Sequence, residues 1–359
     1  MQYAESGRLT VSKRAKSLSR GSDTRRLYRI FTAGSFGALS RAALIAAFAL
    51  VYSSYGIAQW NSNEVHVLPR SKAVPPSSVT PTLRTNVDMV LVDVTVLDHA
   101  GRAVSGLASS DFTLMDDNRL QTVRYLSNAD EPLSLVIVLD ASASMAPRIE
   151  DERKALSQLI SSSNPQDDVS LIVVHDSPEE ILRFEDSIDK FQEAINGIHP
   201  DGQTALWDGM YLGLRELKDS RYPRKAMIII SDGGDNHSRY SKSELRSLLK
   251  EADVQVYAVG LFNRYASRRE EKVGPLQLDE VTSLTGGRVL SVGDAAELSR
   301  AVTQISHELR NQYMLGYYPN HRSNEGDGSW RKIKVQLAGP AAHEKFRLYA
   351  RRGYYAPSE

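Results

Sequence analysis

The chain has 359 residues, enough for one large domain and a smaller one, and it contains no cysteine. Disulfides, thiol catalysis and cysteine-based metal sites are therefore excluded. The formal net charge is zero, but nine of the 44 basic residues and only two of the 44 acidic residues lie within residues 1–58. The rest of the chain is acidic by about seven charges, which argues against nucleic-acid binding.

The amino-terminal segment has the pattern of an export signal. Residues 1–41 are basic and polar, residues 42–52 form an unbroken apolar run, and small residues follow at Gly56 and Ala58. We expect residues 1–58 to be a signal peptide with a long basic first region, cleaved after Ala58. The chain would then be secreted or held in the periplasm or cell envelope. If the segment stays uncleaved, its apolar run would instead anchor the chain in the inner membrane.

A region of β pattern follows a proline-containing stretch. Residues 59–84 contain four prolines among Ser, Asn and Thr, and we predict a disordered linker there. Alternating valines and a hairpin pattern at residues 112–126 predict that residues 85–128 form a small β module. The strands predicted within residues 328–359 are too short for a sheet of their own. We predict that they pack with this module in one β-sandwich.

The longest aliphatic run of the central region marks a buried strand. Residues 133–139 are almost entirely aliphatic, a pattern typical of a strand covered on both faces. The run ends on Asp140, and hydroxyl side chains follow at Ser142 and Ser144. Further strands alternate with helical stripes up to Leu309, which predicts a doubly wound α/β domain with a mostly parallel sheet sandwiched by helices. Ligands bind such domains at the carboxyl ends of the strands.

Two later stretches add oxygen donors at the same predicted sheet edge. Thr204 lies in a glycine-containing loop just before a helix, and Asp232 ends a strand. Carboxylates and hydroxyls together suit Mg²⁺, Mn²⁺ or Ca²⁺ rather than zinc or copper. The alternative is that Asp140 and the serines only cap the first helix, while Asp232 occupies a tight turn.

In these motifs the chain resembles the von Willebrand factor type A (VWA) domain over roughly residues 130–312, and we place such a domain at residues 130–319. The family's metal-ion-dependent adhesion site (MIDAS) consists of Asp-x-Ser-x-Ser, a later Thr and an Asp after a later strand. This chain fills all five positions, with Asp140, Ser142, Ser144, Thr204 and Asp232. The resemblance implies that the three hydroxyls ligate Mg²⁺ (or Mn²⁺ or Ca²⁺), directly or through water, and that the two carboxylates supply charge.

Three further motifs, at residues 285–288, 308–319 and 352–357, are similar to those of the bacterial VWFA-related family first described in acidobacteria. In that family, too, a short β module precedes the A domain. One departure is Asn118, which stands where such hairpins usually carry Gly. Since Asn tolerates a positive φ, we expect the hairpin to form.

The resemblance implies an extracytoplasmic adhesion module without enzymatic activity. Its partner would be a protein or cell-surface ligand whose carboxylate completes the coordination of the cation. One alternative is a structural protein of the cell envelope whose metal site only stabilises the fold. Another is a Mg²⁺-dependent phosphohydrolase, but that chemistry needs a second carboxylate two residues after the first Asp, where this chain has Ser142. The zinc-protease motif His-Glu-x-x-His and the hydrolase motif Gly-x-Ser-x-Gly do not occur.

Overall fold

The computed structural model describes residues 89–128, 130–184, 186–187, 189–262, 269–320 and 328–356. The predicted signal peptide at 1–58 and the predicted linker at 59–84 lie outside these residues. The described chain contains a six-stranded sheet flanked by helices. The segments before and after this region form two four-stranded sheets. This architecture confirms the predicted fold class.

The α/β domain is built on a six-stranded sheet with the strand order β10-β9-β8-β5-β6-β7. Its strands are β5 (Ser134–Asp140), β6 (Asp168–Val174), β7 (Pro178–Leu182), β8 (Lys225–Ser231), β9 (Gln255–Gly260) and β10 (Val289–Ser291). Neighbouring strands run parallel, except that β7 is antiparallel to β6 at one edge. All seven residues of β5 are buried, as expected for a central strand with helices on both faces.

Helices cover the two faces of this sheet and form a separate apolar core on each. They are α1 (Ile149–Ser161), α2 (Asp189–Asn196), α3 (Leu206–Lys218), α4 (Lys242–Glu251), α5 (Arg269–Thr285) and α6 (Ala295–Arg310). Helices α1, α2 and α6 pack on one face, and α3, α4 and α5 pack on the other. Helix α4 begins with a capping box, in which the Ser241 backbone N–H donates to Glu244 Oε2 at 2.8 Å.

The flanking segments form a β-sandwich. One sheet has the order β13-β1-β11-β4, and the other has the order β14-β12-β2-β3. The strands are β1 (Val90–Leu97), β2 (Phe112–Asp116), β3 (Arg119–Gln121), β4 (Tyr125–Ser127), β11 (Tyr313–Tyr317), β12 (Trp330–Leu337), β13 (Arg347–Ala350) and β14 (Gly353–Tyr355). Side chains from both sheets share one apolar core. The carboxyl-terminal strands β13 and β12 pair antiparallel with β1 and β2, respectively.

Two details of this region differ from the sequence-based expectation. The domain limits of 130–319 placed β11 in the α/β domain, but β11 pairs with β1 and β4 in the sandwich. The predicted return strand of the hairpin is divided: β3 pairs with β2, whereas β4 belongs to the opposite sheet. The local hydrophobic pattern does not show either difference, because it marks a strand without specifying the sheet in which that strand pairs.

The winding of the six-stranded sheet reverses at β5. The chain continues from β5 to β6 on one side and later returns to place β8 on the other side of β5. The carboxyl ends of β5 and β8 therefore lie next to each other, at the point where ligands bind in open α/β sheets. None of the helices in the described ranges is long and apolar enough to cross a membrane.

Candidate metal centre

Asp140 is held at the carboxyl end of β5 and is completely buried. Its Oδ1 accepts a hydrogen bond from the Ser142 backbone N–H at 3.0 Å, and its Oδ2 accepts one from Ser231 Oγ at 2.7 Å. Burial raises the pKa of this carboxyl from 3.8 to about 6; the two serines oppose the shift, and the charge of Asp232 adds to it. The site thus contains a carboxylate whose negative charge is poorly compensated by the protein.

Asp232 and the two serines of the Asp-x-Ser-x-Ser motif are in direct contact. Ser142 Oγ lies 3.1 Å from Ser144 Oγ, and Ser144 Oγ donates to Asp232 Oδ2 at 3.2 Å. The other oxygen of Asp232 accepts the Gly234 backbone N–H at 2.9 Å, which orients the carboxylate. Residues that follow β5 and β8 therefore lie together at one edge of the sheet, as predicted from the sequence. Ser144 and Asp232 are 88 positions apart in the chain.

Thr204 lies on a loop that is hydrogen-bonded both to the loop of Ser142 and Ser144 and to the loop of Asp232. The Gly202 carbonyl accepts the Ala143 backbone N–H at 3.2 Å, which ties this loop to the serine motif. The Thr204 backbone N–H donates to Asn236 Oδ1 at 3.0 Å, which ties it to the Asp232 loop. Gly202 has a φ of +70°, and a Cβ there would lie 2.7 Å from Asp176 Oδ1, so the turn requires glycine. Thr204 itself is buried, with 4% of its surface exposed.

The donor set fits a hard divalent cation. Two carboxylates and two hydroxyls lie within a continuous chain of contacts, and a third hydroxyl side chain, that of Thr204, stands on the adjoining loop. Such oxygen-only donors are those that Mg²⁺ and Ca²⁺ select. Nowhere in the described ranges do three or more His, Asp or Glu side chains gather in an arrangement able to hold a metal. Binding at this edge would therefore depend on the serine and threonine hydroxyls.

Sequence reasoning missed two residues that complete this environment. Ser231 orients Asp140, and its own Oγ accepts the Gly233 backbone N–H at 2.9 Å. Glu152 is fully buried on the core face of α1, and the charges of Asp140 and Asp232 raise its pKa further above the effect of burial. The signal for Glu152 was present, because an acidic residue at this position interrupts the apolar stripe of the helix. Ser231 carried no separate signal.

Comparison with known families agrees with this geometry. The family model of the von Willebrand factor type A domain matches residues 135–234, a stretch that contains all five predicted site residues. An uncharacterised protein of Borreliella burgdorferi is 22% identical over 196 residues, which cover 48% of this chain and 57% of that protein. Residues 135–234 are therefore similar to the von Willebrand factor type A domain.

Solved structures with similar folds include a von Willebrand factor type A protein from Catenulispora acidiphila, 12% identical, which covers 76% of this chain and 75% of its own, with a TM-score of 0.44. An aerotolerance-related membrane protein from Bacteroides fragilis is 18% identical, covering 49% of this chain and 99% of its own, with a TM-score of 0.40. Proximal thread matrix protein 1 from the mussel byssus, in a structure with a zinc-occupied MIDAS motif, is 17% identical, covering 54% and 49%, with a TM-score of 0.44.

Proposed function

We propose that this chain is an extracytoplasmic binding module without catalytic activity, and that it captures a protein or cell-surface partner through a divalent cation. The observation that carries the proposal is the contact chain from Ser142 through Ser144 to Asp232, beside the buried carboxylate of Asp140. These groups lie at the sheet edge where α/β domains bind ligands. Export is supported by the signal pattern of residues 1–58 and by the absence of cysteine.

Each of the five residues has a role in this proposal. Ser142, Ser144 and Thr204 would hold the cation, and Asp140 and Asp232 would balance its charge. Mg²⁺ is the first choice among hard cations, since it keeps several waters and binds through one or two carboxylates. The cation would supply positive charge to which a carboxylate of the partner binds. With two protein carboxylates and three neutral donors, the site leaves the coordination shell open to such a group.

The rim of the site makes this capture dependent on the cation. Asp201 and Asp176 accept hydrogen bonds from the Gly202 and Gln203 backbone N–H groups, next to Thr204, and Asp235 lies three residues after Asp232. Without a cation, they would repel a carboxylate that approaches the site. A partner with an acidic residue flanked by basic ones would match both the cation and the rim.

The first test is calorimetric titration of the full chain with Mg²⁺, Mn²⁺ and Ca²⁺. We expect saturable binding at one site in the unchanged protein and its loss in Asp232→Ala, because this substitution removes both a carboxylate and the partner of Ser144. Asp219→Ala serves as the matched control, since Asp219 is exposed at the end of α3. Unchanged binding in Asp232→Ala would place the cation elsewhere and refute the proposal.

A second test separates adhesion from a purely structural metal site. The probes are a synthetic peptide that contains one Glu between lysines and the same peptide with Gln in place of Glu. We expect the cation-loaded protein to bind the Glu peptide more tightly, and binding to disappear in EDTA. Stabilisation by the cation with equal binding of both peptides would instead favour the structural alternative.

A further inference from the structure

Glu152 is an ionisable residue at a position where the fold calls for an apolar one. The other residues that α1 turns towards the sheet are Ile149, Ala155, Leu156 and Leu159, and all are buried in the same apolar core. Glu152 is 0% exposed, and neither of its carboxyl oxygens has a hydrogen-bond partner in the described part of the chain. A buried carboxylate without a partner is strongly unfavourable, so its presence needs a compensating group.

The charged groups that act on Glu152 come from three elements. Asp140 at the end of β5 and Asp232 after β8 oppose its ionisation, as does Asp151 on its own helix. Arg148, which precedes α1, favours ionisation, but its Nη1 is itself buried and lacks a hydrogen-bond partner among the described residues. Burial, followed by the charge of Asp140, raises the pKa of Glu152 to about 8.

The negative charges that act most strongly on Glu152 belong to the candidate cation site. Asp140 is the strongest of the charged groups acting on Glu152, and Asp232 acts on it as well, so Glu152 shares an electrostatic environment with both carboxylates of the site. Asp140 and Glu152 are buried and Asp232 is partly exposed, and mutual repulsion among their three carboxyl groups favours the arrival of positive charge.

We propose that Glu152 is a third carboxylate of the cation site, which acts through its charge and strengthens cation binding without being one of the five ligating or charge-balancing residues. This inference rests on the proposed function, since it concerns the same cation. The positive charge of the cation would offset the charge of ionised Glu152, as the guanidinium of Arg148 does in part. Glu152 is therefore a positioning and charge-setting residue, whose value to the protein lies in cation affinity at a cost to the stability of the cation-free fold.

The test compares the full-length protein with Glu152→Gln, which keeps the size and shape of the side chain but removes its charge. We expect Mg²⁺ binding measured by calorimetry to weaken about tenfold, the lower end of the effect of residues that support metal ligands. The melting temperature in EDTA at neutral pH should not fall, because a carboxyl with a pKa of about 8 is mostly protonated there and Gln replaces a neutral group of the same shape. The gain in melting temperature caused by saturating Mg²⁺ should therefore shrink.

Glu150→Gln is the matched control. Glu150 lies on the same helix, its side chain is 69% exposed, and its ion pair with Arg153 is at the surface. The same chemical change there should leave Mg²⁺ affinity within a factor of two, on the scale of exposed charges. A second variant, Glu152→Leu, continues the apolar stripe of α1; it should melt higher in EDTA and share the loss of Mg²⁺ affinity.

The outcomes separate this inference from the proposed function. Equal Mg²⁺ affinity of the unchanged protein and Glu152→Gln would overturn the role of Glu152 alone. A purely structural role is indicated, and the inference overturned, if both Glu152 variants melt lower in EDTA by the same amount as in Mg²⁺. Absence of cation binding in the unchanged protein would overturn the proposed function and the inference with it.

Discussion

The β-sandwich and the α/β domain each bury acidic residues, but they treat them differently. In the sandwich, Asp116 is completely buried, and its Oδ2 accepts hydrogen bonds from the hydroxyls of Tyr317 and Tyr354 at 3.0 Å each. Tyr317 belongs to one sheet and Tyr354 to the other, so the carboxylate joins the two layers. In the described part of the α/β domain, Asp140 accepts hydrogen bonds from two serines, and Glu152 has no hydrogen-bond partner.

The difference distinguishes a structural carboxylate from a functional one. Phenol hydroxyls donate to Asp116, and burial raises the pKa of both tyrosines, so these donors stay protonated. In the sandwich, the protein itself therefore supplies two hydroxyl donors to one oxygen of Asp116. The negative charge of the carboxylates at the edge of the α/β sheet is instead not balanced by the protein, as expected of a region that binds a cation.

The largest expected effect on stability comes from removing the Asp116 carboxylate, which Tyr317 and Tyr354 share as an acceptor. Asp116→Ala leaves two buried tyrosine hydroxyls without an acceptor, and we expect the free energy of unfolding to fall by about 4 kcal/mol. Cation affinity, measured by calorimetry at a temperature where the variant is folded, should not change. Lys334→Ala, an exposed substitution in the neighbouring strand β12, is the control. A change in Mg²⁺ affinity without a loss of stability would contradict the distinction between the two regions.

The open carboxylates predict an unusual dependence of stability on pH. The pKa of Asp140 is about 6 in the folded protein against an ordinary 3.8, and that of Glu152 is about 8 against 4.5. The folded state therefore binds more protons than the unfolded state, and this contribution to stability is lost as the pH rises from about 4 to about 8. In EDTA, urea denaturation should show a loss of several kcal/mol across this range, since each pKa unit corresponds to about 1.4 kcal/mol.

We expect the tyrosines of the sandwich to contribute nothing to this pH dependence, since the Tyr317 and Tyr354 hydroxyls stay protonated over the whole pH range. Glu152→Gln should flatten the pH dependence, and saturating Mg²⁺ should reduce it. A free energy of unfolding that rises from pH 5 to pH 8 in EDTA would show that these carboxylates are compensated within the protein.

A smaller effect is expected where α3 approaches the sheet. A Cβ on Gly209 would lie 2.4 Å from Val174 Cγ2, so Gly209→Ala must shift the helix that follows Thr204. We expect a loss of about 1.5 kcal/mol in the free energy of unfolding and a weaker affinity for Mg²⁺. At Gly197 the nearest atom to an added Cβ is 3.5 Å away, so Gly197→Ala is the matched control. Loss of stability with full Mg²⁺ affinity would show that the position of α3 does not set the geometry of Thr204.

The sequence predicted those features that depend on neighbouring residues. The aliphatic run of β5, the Asp-x-Ser-x-Ser motif at its end and the alternation of strands and helices are all local patterns, and the fold class followed from them. The hairpin turn at Asp117 and Asn118 was also accessible: both residues have a positive φ, 46° and 62°, which Asn and Asp tolerate. The sequence did not predict that the next residues divide between β3 and β4, because strands of either sheet can have the same short pattern.

By itself, then, the sequence determined the buried central strand, the two-sided α/β architecture and the oxygen chemistry of the candidate site. Only the tertiary structure decided that Ser231 orients Asp140, that Ser144 donates to Asp232, and that β11 joins the sandwich. The reason is physical. Periodicity and turn preference act between residues a few positions apart, whereas the contacts that orient the site join residues 88 and 91 positions apart, and burial decides which of their charges remain uncompensated.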